Sequence, residues 1–441
     1  MHRFARNRKI ACSALALNLA LTFAAPASAD TAKVDAAAKA VEPRVIEWRR
    51  HLHANPELSN REVKTADFIA KRLRAMGLDV KTGIGINGVA ALIKGGKPGR
   101  TIALRADIDA LPVTEQTDVP FKSKVTTEFR GEKVGVMHAC GHDGHIAILL
   151  GVAEALVKMK DTLPGQVLLV FQPAEEGPPE GEKGGAKLML EQGLFDIAKP
   201  EAMIGLHVMA ALNSGVIGYK PGPLMAGSDA FSIKVTGTQT HGSRPWAGVD
   251  PISASGQIIT GLQTIVSRQI DITQLPAVVT IGAIKGGIRF NIIPDSVEMI
   301  GTIRTFDRDM RADIINRMRT TASKIAEASG AKAELTMRPE IVIPPVINDA
   351  GLTERAVPIF EQLVGKDNVK LIGLQTVADD FSFFAAQAQI PSLYFWVGIT
   401  PRDKDSSTVP FNHSPLFYLD ESGLITGVRA MLALTTDFLA K

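Results

Sequence analysis

The stretch His138-Ala-Cys-Gly-His-Asp-Gly-His145 gathers three histidines, an aspartate and a thiol within eight residues. Imidazole with thiolate is the usual ligand set for zinc or a similarly borderline metal. Cys140 is one of two cysteines in the chain, and the other, Cys12, lies in a segment read below as removed. The mature protein would then hold one thiol and no internal disulfide. An isolated cysteine most simply reads as a small buried hydrophobe. This one is flanked by Gly141 and Gly144, in a loop just before an apolar helical run, where backbone can approach a ligand closely.

Four further segments carry groups of matching chemistry. Leu104-Arg-Ala-Asp-Ile-Asp-Ala-Leu-Pro112 leaves a strand and delivers Asp107 and Asp109 to its end, and Gly165 to Pro173 reads as a buried strand ending on Glu175-Glu176. The apolar strand Ala202 to Leu206 ends on His207, and Asn412-His413-Ser414-Pro415 precedes the last helix. A surface turn could hold two adjacent glutamates for solubility alone, but this pair follows a fully apolar strand, at the same sheet edge as Asp109. The candidate ligands are thus Cys140, His142, Glu176, His207 and His413, with Asp109 and Glu175 nearby. Five are too many for one tetrahedral ion. They suit two metals, which can hold a water between them, lower its pKa and clamp a tetrahedral intermediate. A carboxylate left over could take a proton from that water and pass it to a leaving amine. His51 and His53 lie on an early helix and read as packing or surface residues, whereas His138 and His145 read as groups that orient ligands.

The elements that must position these groups follow an α/β pattern. Helices are expected from Val41 to His53, and around Ala66, Ile69, Leu73 and Met76, closed by Gly77. Buried strands are expected at Gly88 to Ile93 and Thr101 to Leu104, with helices at Ile146 to Met159 and Ala186 to Leu194. In an open α/β sheet, ligands bind at the carboxyl ends of the strands. From about Gly227 the order becomes strand, helix, two strands, helix, strand, a ferredoxin-like unit. Its strands are Ala230 to Thr236, Val278 to Ile284, Val297 to Thr305 and Ala333 to Met337, and its helices run from Asp250 to Ile270 and from Ala312 to Ala328. The earlier alternation resumes from Leu352, so this unit is read as inserted: a catalytic domain at 30–226 and 341–441, interrupted by a second domain at 227–340.

Residues 1–29 read as a cleavable signal peptide, with Arg3, Arg6, Arg8 and Lys9 at its start, an apolar middle from Ile10 to Ala25 and a small-residue site at Ala27-Ser28-Ala29. The expected product is periplasmic or secreted and begins at Asp30. Removing the leader leaves 45 basic against 46 acidic residues, a net charge of −1. No Lys/Arg run suggests nucleic acid or anionic lipid as a partner, and no membrane association is expected after cleavage.

The motifs Arg105-Ala-Asp-Ile-Asp-Ala-Leu-Pro, Met137-His-Ala-Cys-Gly-His-Asp-Gly-His, Phe171-Gln-Pro-Ala-Glu-Glu-Gly and Asn412-His-Ser-Pro resemble the successive motifs of the M20 metallopeptidase family. They are most similar to its amidohydrolase branch of aminoacylases, hippurate hydrolases and auxin-conjugate hydrolases. The resemblance implies a mixed sheet flanked by helices, an inserted lid that also dimerises, and two divalent ions per subunit (zinc or manganese, with cobalt admitted). It implies that Cys140, His142, Glu176, His207 and His413 bind metal, that Glu175 is the general base and that Asp109 orients a ligand. In the lid it implies that His241 stabilises an oxyanion, in some relatives from the partner subunit, and that Asn291 and Arg304 hold a substrate carboxylate. The chain departs from the pattern at Asp379, where many relatives have Glu, and at Trp246, where the branch commonly has His. The implied activity is hydrolysis of N-acyl or N-aroyl amino acids or short peptides. A di- or carboxypeptidase is the alternative within hydrolases, and a non-catalytic binding protein the alternative from another class.

Overall fold

The computed structural model describes residues 31–338 and 342–441, so the leader read at residues 1–29 lies outside the described residues. The centre of the molecule is an eight-stranded mixed sheet. Its middle four strands, Pro164–Gln172, Lys97–Asp107, Ala202–Asn213 and Ser392–Thr400, are adjacent and parallel. Antiparallel strands Gly88–Lys94 and Val80–Ile84 extend one side, and Ile217–Tyr219 with Val369–Leu371 the other.

The parallel strands read as near-continuous apolar runs because both faces are covered. Alternate residues go to opposite sides: Ile102, Leu104, Val167 and Leu169 join the core beneath helices Thr31–Ala54, His142–Met159 and Leu424–Leu439. Ala103, Leu168 and Val170 join a smaller core with Phe381, Phe384 and Tyr394. Helix His142–Met159 is buried on almost every side, which is why its apolar residues show no single stripe.

Three differences from the expected bounds bear on how the site is built. The first helix spans Thr31–Ala54, starting two turns and more before Val41, because Val34 and Ala38 extend the buried face across Pro43. The cysteine–histidine segment is not all loop: the third helix begins at His142, with Gly141 as its left-handed N-cap residue at φ 89. A Cβ at Gly141 would stand 2.3 Å from Val208 Cγ2, so both backbone conformation and space call for glycine there. The strand expected to stop at His207 continues to Asn213, because Trp396 and Val397 of the neighbouring strand pair with His207 and Val208.

The inserted unit has its own core, built from Phe231, Ile233, Ile258, Leu262, Met299 and Ile314 among others. Its four antiparallel strands lie in the order Val278–Gly286, Ser296–Thr305, Gly227–Thr236, Lys332–Met337, the ferredoxin-like arrangement. Helix Pro251–Thr264 is capped by Asp250, whose side chain accepts the Ile252 and Ser253 amides, and passes into a π-helical turn at Ile265–Gln269. Helix Arg308–Ala328 covers the same face, capped by Asp307.

Candidate metal centre

The carboxyl edge of the parallel strands brings the candidate ligands to one place. Strand Lys97–Asp107 delivers Asp107 and Asp109, strand Pro164–Gln172 delivers Glu175 and Glu176, and strand Ala202–Asn213 supplies His207 from its middle. The His413 backbone N–H donates to the Ala139 carbonyl at 2.8 Å, docking the C-terminal loop onto the cysteine segment. Cys140 Sγ lies 3.3 Å from His207 Nε2 and 3.2 Å from His413 Nε2, and the latter is 3.2 Å from Glu176 Oε1. Cys140, His142 and His207 place one donor atom each within 4.8 Å of one another, and so do Cys140, Glu176 and His413. These two triads share the thiol.

Hydrogen bonds turn the imidazoles so that a lone pair faces inward. His142 Nδ1 donates to the Asp109 carbonyl at 2.8 Å, and His207 Nδ1 donates to the Val208 carbonyl at 2.7 Å, leaving Nε2 of both as the free nitrogen. His142 Nε2 is buried and has no hydrogen-bond partner among the described residues. A buried, unpartnered basic nitrogen beside a thiol and carboxylates fits a metal ligand, since leaving it otherwise unsatisfied would be costly. The donor set, two overlapping triads of S, N and O atoms, fits a pair of divalent ions. Ser59 Oγ donates to Asp109 Oδ2 at 2.7 Å and the Glu176 amide donates to the same oxygen at 3.1 Å, so Asp109 ties the helix-start histidine to the glutamate loop.

Glu175 stands next to this set, with Oε2 3.9 Å from His142 Nε2. Burial raises its pKa well above the usual carboxylate range, and Asp379 and Glu176 add to the rise. Burial also pushes the Cys140 thiol up, with Glu176 and Glu175 reinforcing it. His142 is buried, which lowers its basicity, but Asp107 and Asp109 overcome that and hold it at about 10. These shifts belong to the metal-free protein, in which the acidic groups crowd one another without a compensating cation.

The profile of the peptidase family M20/M25/M40 matches residues 103–437. The chain belongs to the M20 peptidase family. It is 42% identical to thermostable carboxypeptidase 2 of Saccharolobus solfataricus over 91% of this chain and 96% of that protein. It is also 39% identical to an N-acetylcysteine deacetylase of Bacillus subtilis, over 88% of this chain and 94% of the relative. Among solved structures it is similar to the YXEP protein of Bacillus subtilis, described as a dinuclear metal binding peptidase of this family. The TM-score is 0.76 at 36% identity, covering 91% of this chain and 99% of that one. As an M20 protein this chain is a metal-dependent hydrolase of amide or peptide bonds.

Two buried charge networks support the M20 centre, and the sequence pattern pointed to only some of their members. Arg105 is fully buried and spans Asp107, Asp379 at 3.1 Å and Asp380 at 3.4 Å. Asp107 in turn accepts from His145 Nδ1, whose Nε2 accepts the Val208 amide at 2.9 Å. Asp379, one of the two departures from the family pattern, is held by Arg105 and by Tyr394, whose hydroxyl donates to it at 2.6 Å, and its carboxylate lies within 4.8 Å of that of Glu175. On the other side Asp143 accepts from Arg49 Nε and His53 Nδ1, both at 2.8 Å, and His53 Nε2 lies 3.0 Å from Glu115 Oε1. His53 is thus part of a buried ionic cluster, while His51 is exposed and stacks on Phe68 at 4.5 Å. Asp107 and Asp143 stand inside quoted motifs, so their neighbourhood was visible; Arg49 and Glu115 carried no signal.

His138 does not fit the role of orienting a ligand by hydrogen bonding. It is buried with both ring nitrogens unpartnered among the described residues, and burial lowers its pKa to about 4, leaving a neutral ring. The lid residues are not drawn into the cluster either. His241 is exposed, and its Nδ1 meets the Ser243 hydroxyl at 2.8 Å and amide at 3.1 Å. It shares a two-stranded ribbon with Ile292 and Ile293, one residue beyond Asn291, whose Oδ1 is buried without a partner among the described residues. Arg304 is half-buried and bonds within the lid, to Ser228 Oγ at 2.7 Å, Thr302 Oγ1 and the Ile303 carbonyl. Trp246 is 77% exposed on a short turn of the lid.

Proposed function

We propose that this M20 protein is an exported amidohydrolase that cleaves the amide of N-acyl or N-aroyl amino acids. The observation that carries the reading is the pairing of a five-residue donor set with Glu175, an adjacent carboxylate in neither triad that shares Cys140. Two divalent ions bound there would polarise the amide carbonyl and acidify a water molecule. Cys140, His142, Glu176, His207 and His413 would hold them. Glu175 takes the water proton and hands it to the leaving amine. Asp109 keeps His142 in the tautomer that exposes Nε2.

In this reading His241 donates a hydrogen bond to the developing oxyanion, while Asn291 and Arg304 receive the substrate carboxylate. Because His241 is exposed and its ring is bonded only to Ser243 among the described residues, we assign its contribution to a homodimer formed through the lid. The leader at residues 1–29 is the basis for placing the mature enzyme in the periplasm or outside the cell. The similarity to N-acetylcysteine deacetylase supports the amidohydrolase activity, and that to a carboxypeptidase supports a peptidase as the second reading. The test is a screen of N-acyl amino acids and dipeptides on metal-free protein reloaded with zinc, manganese or cobalt. Faster turnover of N-acyl amino acids, abolished by chelation, is expected; turnover of dipeptides alone would establish the peptidase. Amino-terminal sequencing of the exported protein should begin at Asp30.

A further inference from the structure

A cleft of about 590 Å³ adjoins the centre, its lining including the candidate ligand Glu176 and the next residue, Gly177. Every residue lining it belongs to the catalytic domain, so it does not receive the part of the substrate assigned to the lid. Leu58, Leu111, Pro112, Pro178 and Pro179 contribute apolar lining. Thr126, Thr127 and Phe129 come from the antiparallel hairpin Thr126–Phe129 and Glu132–Gly135.

This hairpin is firmly rooted. The Val136 amide donates to the Val125 carbonyl at 3.0 Å, and Met137 and Leu111 exchange two backbone hydrogen bonds of 3.0 Å. Three residues beyond Met137 stands Cys140, so the wall of the cleft and the ligand loop are one continuous piece of chain. Charged groups on the lining, among them Arg61, Lys64 and Glu180, are exposed.

Resting on the amidohydrolase reading, we propose that this cleft takes the acyl side of the scissile amide and that the hairpin makes it selective for apolar acyl groups larger than acetyl. The volume is in the range of sites that enclose drug-sized ligands, whereas an acetyl group would leave most of it to water. Apolar walls next to the glutamate loop and charge beyond them match an aroyl or medium-chain acyl group, whose carbonyl lies at Glu176 and whose hydrocarbon runs outward along Leu58 and Phe129.

The experiment compares kcat/KM for N-acetyl-, N-hexanoyl- and N-benzoyl-alanine on metal-loaded wild type, Leu58→Trp, Phe129→Ala and a chain with residues 127–133 replaced by Gly-Ser-Gly. Wild type should favour the two larger substrates over N-acetyl by at least about tenfold, the lower end of what a single methylene in a fitted apolar pocket is worth. Each variant should shrink that ratio, Leu58→Trp the most because it takes volume out of the cleft. The two point variants decide the matter if the shortened hairpin does not fold. An N-acetyl preference in wild type, or a ratio unmoved by both point variants, overturns the acyl cleft while leaving the amidohydrolase intact. Turnover of none of the three, with dipeptides cleaved, overturns both.

Discussion

The buried carboxylate of Glu62 accepts the backbone N–H of Ala174 at 2.8 Å. Ala174 has φ 52, a left-handed conformation that costs an L-residue about 1–2 kcal/mol, and it makes the turn from strand Pro164–Gln172 into Glu175 and Glu176. The second oxygen of Glu62 accepts from Asn87 Nδ2 at 3.0 Å, so the carboxylate is held from both sides. Removing it should let the general base drift. For Glu62→Ala we expect kcat to fall by about 10²-fold, the scale of a misplacement near 1 Å, with KM little changed. Glu62→Gln keeps one acceptor and should lose less; steady-state kinetics beside metal analysis would show whether the loss is one of positioning.

The same residue leaves a mark on stability. Burial, with Asp109 adding, raises Glu62 from 4.5 to about 7. The native state therefore binds more protons than the unfolded chain between these values, and stability contributed by this group is present below about 4.5 and lost as pH rises to about 7. Glutamine cannot titrate. Urea unfolding of the metal-free protein should show wild type losing stability relative to Glu62→Gln across that window, and parallel pH profiles would refute the shift.

Arg105 is buried among three carboxylates, and breaking a buried ion pair by removing one partner typically costs about 3–5 kcal/mol. Arg105→Met should destabilise on that scale in denaturant titration. Adding Asp379→Asn should recover part of it, because one uncompensated charge then disappears. Equal stability of the single and double variants would show that Asp379 is not the charge Arg105 compensates.

Glu175→Gln is expected to keep its metal while kcat falls by about 10²- to 10⁴-fold. Glu176→Gln and Cys140→Ser should instead lose metal, since Glu176 and Cys140 stand in the triad with His413 and Cys140 is common to both triads. Metal content by atomic emission, measured beside turnover, separates the two classes. Exchanged phenotypes for the glutamates would reverse their assignment.

His241→Ala should keep fold and metal but lose about 10²- to 10³-fold in kcat, as when one oxyanion donor is removed. If it acts across the dimer, mixing inactive His241→Ala with inactive Glu175→Gln restores activity, because each mixed dimer has one complete site. No recovery after verified subunit exchange would place the residue in its own chain's site.

How much of this protein is written locally can be judged element by element. The parallel strands announce themselves as apolar runs, and the residues at their ends, Asp109, Glu175 and Glu176, follow from where such strands must stop. The ferredoxin-like unit was legible because its strands alternate and its helices keep a helical period over many residues. Cys140 and His142 stood out because thiol and imidazole are concentrated in one short stretch.

What local patterning could not supply is the set of partners brought from far along the chain. Glu62 and Ala174 are 112 positions apart, Arg105 and Asp379 are 274 apart, and Cys140 and His413 are 273 apart. A buried charge is tolerated only where folding delivers its counter-charge, so Arg49 or Glu115 looks like an ordinary surface residue until Asp143 and His53 are placed beside it. The run of the strand through His207 likewise depends on pairing with Trp396, and the cleft on a hairpin meeting Leu58 and Pro178. The chain itself determined which residue types could do the chemistry. Tertiary structure decided which of them share a site, which nitrogen of each histidine faces it, and which carboxylate is held by Arg105 rather than left for the reaction, because those are set by long-range packing and by the hydrogen bonds it satisfies.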